Sequence, residues 1–131
     1  MRVQRTDGGW VVVDGRGAAA GEWRLAGDRV LLRSSSGRKY EVPQDEVPLE
    51  IAVALVALRE AAAFVMRHPG VALAGPAALD HWLAASREAL LRGNRDARDV
   101  LVGWPTFRSI FETVVAAASR PSAGTALRAE A

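Results

Sequence analysis

The sequence contains no cysteine, a single lysine, two histidines and no apolar run longer than eight residues. The missing thiols exclude a disulfide framework, a thiolate metal site and a thiol nucleophile, and they suit a reducing cytoplasm, which is the expected location. Ile51 to Leu58 is the longest apolar run. Crossing a bilayer takes ~20 apolar residues, so no membrane span or membrane partner is expected. The stretch from Met1 to Asp7 has no apolar run behind its charges, so it does not read as a signal peptide. Histidine offers little. His68 falls at an expected helix end, and His81 follows Asp80 on a helix, where adjacent residues do not face each other.

What is present is ordinary globular material: 131 residues, half of them apolar and a quarter charged. The basic residues are sixteen Arg and Lys39, and the net charge is +2. Arg, Ala, Gly and Val in excess fit a GC-rich bacterial coding bias. The net charge sits in the first 45 residues, with eight basic side chains against six acidic ones. This is a lean rather than a patch.

Those 45 residues read as short strands. Val3 to Thr6 and Trp10 to Val13 flank Asp7-Gly8-Gly9, a hairpin signal because Gly reaches positive φ at little cost. Glu22 to Leu25 and Arg29 to Arg33 flank Ala26-Gly27-Asp28, and Arg38 to Val42 follows a Ser-rich turn. Trp23 and Leu25 share one strand face while Glu22 and Arg24 share the other. At Val47-Pro48 the period changes. From Leu49 to Met66, fifteen of eighteen residues are apolar. A helix apolar on every side must be sheltered on every side, within the domain or against another copy. Pro76 to Arg92, Arg95 to Val102 with Asn94 as N-cap, and Phe107 to Ser119 complete the helices. The expected fold is α+β: an N-terminal antiparallel β-meander or small barrel of about five short strands, then three to four packed α-helices. Residues 1–119 form a single domain (1–45 β, 46–119 helical), and 120–131 a flexible tail.

Gly15-Arg16-Gly17-Ala18-Ala19-Ala20 fits G-x-G-x-x-A, but a dinucleotide site needs a helix after the loop, and only a few residues precede Gly27. Asp96 and Asp99 interleave with Arg92, Arg95 and Arg98, the pattern of solvated ion pairs rather than of an acid–base dyad. The turn from Ser34 to Lys39 carries hydroxyls and two cations that could hold a phosphate.

Two functions follow. The first is a non-catalytic interaction or adaptor protein, self-associating or part of a larger assembly, with Ile51, Leu55 and Leu58 at the interface. The second is a nucleic-acid-binding module whose hairpins present Arg5, Trp10, Trp23, Arg24, Arg33, Arg38 and Lys39. The orientation of Trp10 and Trp23 separates the two. No catalytic, cofactor-binding or metal-ligating residue is assigned, no cofactor is expected, and the chain reads as non-enzymatic.

Overall fold

The computed structural model describes residues 1–6, 9–15, 20–68, 70, 76–92 and 97–119. Five strands come first: β1 (Arg2–Thr6), β2 (Gly9–Asp14), β3 (Gly21–Ala26), β4 (Arg29–Ser34) and β5 (Lys39–Val42). They pair in chain order, each antiparallel to its neighbour, with β1 and β5 at the two edges. The β part is therefore an open meander among the described residues. A 3-10 turn (Gln44–Glu46) leads to α1 (Leu49–Arg67), α2 (Pro76–Arg92), α3 (Ala97–Val102) and α4 (Trp104–Ser119). The α+β architecture expected from the sequence is the one observed.

The pairing register fixes which side chains share a face. Val3, Val12, Trp23, Leu32 and Tyr40 are successive partners in one row across the sheet. Val12, Trp23 and Leu32 are buried and belong to the same core cluster as α1. Tyr40, at the β5 edge, is half exposed because α1 packs across β2 and β3. Val11 points to the opposite face yet is 1% exposed, so β2 is sheltered on both sides. That matches its continuous Val11-Val12-Val13 run, which does not alternate.

α1 begins where Pro48 ends the extended chain; the Pro48 carbonyl accepts the first helical bond, from Ala52 N–H at 2.9 Å. From Ile51 to Leu58 every residue is buried except Ala52, which is half-buried. The sheet covers one flank and α4 another. A ladder of rings then ties the helices together. Phe64 of α1 lies 4.3 Å from Trp82 of α2 and 5.3 Å from Phe111 of α4 between ring centroids, and Phe107 extends the ladder to Trp104. Tilted and offset rings at these separations are favourable beyond the area they bury. Arg108 of α4 pairs with Asp80 of α2 and with Glu112 on its own helix.

α3 and α4 meet at one residue. Gly103 N–H donates to the Asp99 carbonyl, and the Gly103 carbonyl accepts from Phe107 N–H, both at 2.9 Å. The second helix starts at Trp104, three residues earlier than the apolar spacing indicates. Pro105 falls in its first turn, where a missing N–H is harmless. A methyl group on Gly103 would lie 2.8 Å from Val53 Cγ2, so glycine here permits the close approach of this junction to α1. No described helix is long and apolar enough to cross a membrane. Residues 120–131, read from sequence as a tail, lie outside the described residues.

Candidate interaction surfaces

Strand alternation sorts the residues expected to contact nucleic acid onto different surfaces. Trp23 is 2% exposed and packs in the core beneath α1. Trp10 is half-buried and also packs against the core. Arg5 is the cross-strand partner of Trp10. Arg24, Arg33 and Lys39 have the opposite parity and rise from the outer face, exposed. Arg38 is exposed in the turn before β5, where its carbonyl accepts from Ser34 N–H. No described aromatic side chain shares the outer face with Arg24, Arg33 and Lys39. An Arg/Trp stacking platform is therefore not assembled: the tryptophans hold the sheet to the helices, as aromatics on strands ordinarily do.

The outer face is nonetheless cationic. Arg2, Arg24, Arg29, Arg33 and Lys39 stand on it against Glu22 and Glu41. Arg29 donates from Nε and Nη2 to the two oxygens of Glu41, at 2.9 and 2.7 Å. These bonds hold the Glu41 carboxyl below the ordinary glutamate range, and the same partner raises Arg29 further. The lean seen in sequence is thus gathered onto one side of the sheet.

The interface expected at Ile51, Leu55 and Leu58 is not available. These side chains are 1%, 2% and 6% exposed within a single chain, because the sheet and α4 already cover the helix. Of the exposed large apolar side chains, Tyr40 lies on the β5 edge and Met66, the most exposed, at the C-terminal end of α1; the other three lie at the start of α1 and in the last turn of α3. Leu49 is 46% exposed, Leu101 48% and Val102 67%. Val53, one turn beyond Leu49, lies against Gly103, which directly follows Val102. The start of α1 therefore lies within about one helical turn of the α3–α4 junction, and these two segments carry the three side chains. Sequence reasoning missed this corner, although a signal was there. Val100 is the buried residue of α3, and successive helical residues turn about 100° away from it. Leu101 and Val102 must then face outward.

Comparison with protein-family models, with curated proteins and with solved structures finds no match. Function has to be argued from these surfaces. The remaining candidates are ordinary parts of the fold. Asp14 and Gly21 are partners in antiparallel strands, so Gly15 and Ala20 belong to a strand–strand connection and no helix follows; Gly17 lies outside the described residues. His68 caps α1, donating its backbone N–H to the Phe64 carbonyl, and its ring lies 5.1 Å from Phe64. His81 and Asp99 are exposed; Asp96 lies outside the described residues. In the Ser34 turn, the Ser34 and Ser36 hydroxyls bond each other at 2.8 Å. A cavity of about 80 Å³ where the β3–β4 turn meets α1 is bordered by Asp28, Gln44, Arg59 and Asp99. Small-molecule pockets commonly enclose ~300 Å³ or more.

Proposed function

We propose that this chain is a non-catalytic interaction protein that associates with a second copy of itself through the corner formed by Leu49, Leu101 and Val102. The reading is carried by the exposure of these three large apolar side chains, two of them consecutive, on a chain whose core is already closed. Isolated exposed apolar residues are common, whereas a gathered group marks a contact surface. Pro48 and Pro105, both exposed, fix the backbone at the two helix starts beside the corner. A surface held rigid in this way loses little conformational entropy when a partner docks.

Light scattering across concentrations tests the reading. The wild-type chain should gain mass towards a dimer by ~100 μM, and Val102→Asp should hold the monomer mass there. A wild-type chain that is monomeric throughout overturns the proposal. A Val102→Asp chain that still dimerises overturns the assignment to this corner.

A further inference from the structure

The outer face of β3, β4 and β5 carries three cations without an ion pair on the described chain, with Glu22 and Glu41 beside them. Arg33 and Lys39 are cross-strand partners, so their side chains rise together from adjacent strands. Like charges placed opposite one another disfavour strand pairing unless an anion lies between them. Arg24 stands on the same face of β3, one inward–outward repeat beyond Glu22, the partner of Arg33. Among the described residues none of the three cations makes an ion pair or a side-chain hydrogen bond. Glu41, on the same part of the face, is occupied by Arg29. Arg24, Arg33 and Lys39 line an open groove of about 330 Å³ that Glu22, Glu41 and Tyr40 also border.

We infer that this groove is an anion-binding track for the phosphate backbone of a nucleic-acid strand. Arginine's planar fork suits phosphate oxygens, and two of the three cations are arginines. The cations spread over three strands, roughly 10 Å at ~5 Å per strand spacing, which suits a polymer of repeated anions better than one isolated phosphate. A peptide that adds a strand to this sheet would pair at an edge, β1 or β5. Arg24 and Arg33 instead rise from interior strands, away from any free edge. Tyr40 borders the groove but belongs by strand parity to the opposite face of β5, so the three cations contact the phosphate backbone, independent of base sequence. This is the nucleic-acid reading with its stacking element removed, and it does not depend on the apolar corner.

Fluorescence anisotropy with a labelled 20-nucleotide single strand of mixed sequence is the test. Neutralising three phosphates makes affinity fall ~20-fold between 50 and 200 mM salt. Arg33→Glu/Lys39→Glu should abolish saturable binding at 50 mM, and the milder Arg24→Gln/Lys39→Gln should weaken it at least tenfold. Arg24→Gln/Lys39→Gln should keep at least the wild-type urea midpoint, because it relieves the Arg33–Lys39 opposition; if the first variant unfolds, this one decides. Tryptophan emission should not change on binding, because Trp23 is enclosed in the core. Binding that ignores salt, that survives both substitutions, or that polyglutamate competes away as well as unlabelled strand does would overturn the proposal.

Discussion

Gly21 opens β3 with φ +145°, a region that L side chains rarely adopt, and a Cβ placed on it would collide with the carbonyl oxygen of Arg33. Gly21→Ala should therefore destabilise the chain by about 1–3 kcal/mol, read as a lower urea midpoint with an unchanged slope. Glu41 offers a second check at this scale. Its folded-state pKa is depressed by the bonds from Arg29, so the stability it contributes is present above the ordinary glutamate value and is lost as pH falls through the folded one. Arg29→Ala should return the Glu41 side-chain titration, followed by NMR, to the ordinary range. The stability gap between variant and wild type should close in acid. Single residues were legible in sequence where two requirements agreed. The alternation Glu22-Trp23-Arg24-Leu25 put Trp23 and Leu25 on one face, and both pack towards the helices. Trp10 could not be sorted onto a face in the same way, because the run Trp10-Val11-Val12-Val13 does not alternate and its register is set by the neighbouring strands.

The α3–α4 junction packs closely on α1 where Gly103 meets Val53. Gly103→Ala should cost about 1–3 kcal/mol by overpacking, and much of that cost should vanish in a Val53→Ala background, a coupling that a double-mutant cycle measures directly. Phe111 is fully buried between the rings of Phe64 and Phe107, so Phe111→Ala should cost about 3–5 kcal/mol. At this scale the sequence was informative about the change of period at Val47-Pro48, since a helix apolar all round and strands that alternate are different patterns. It was less informative about boundaries. Apolar spacing starts the last helix at Phe107, yet it starts at Trp104, because proline in a first turn lacks only a donor that has no partner anyway. The need of Ile51 to Leu58 for shelter was also legible, but the identity of the cover was not. Apolar periodicity demands burial without saying whether sheet, neighbouring helix or second copy supplies it.

Across the whole molecule, one core cluster runs from Val12 and Trp23 in the sheet through α1 to Phe107 and Val115 in α4. That continuity assigns the all-apolar helix to the interior of a single chain and moves the proposed contact surface out to Leu49, Leu101 and Val102. It also leaves the cationic outer face of the sheet as a separate surface, gathered by strand parity from residues that lie scattered along the chain. Each surface joins residues from different elements, so its assembly depends on strand register and helix packing. The central claim is that the fold is complete within one chain, so that association adds to a finished monomer. Urea unfolding of Leu101→Asp/Val102→Asp at 1 μM and at 100 μM tests it most directly. The same midpoint at both concentrations is the predicted result; a midpoint that climbs with concentration would mean that a second copy completes the core, and would contradict the account.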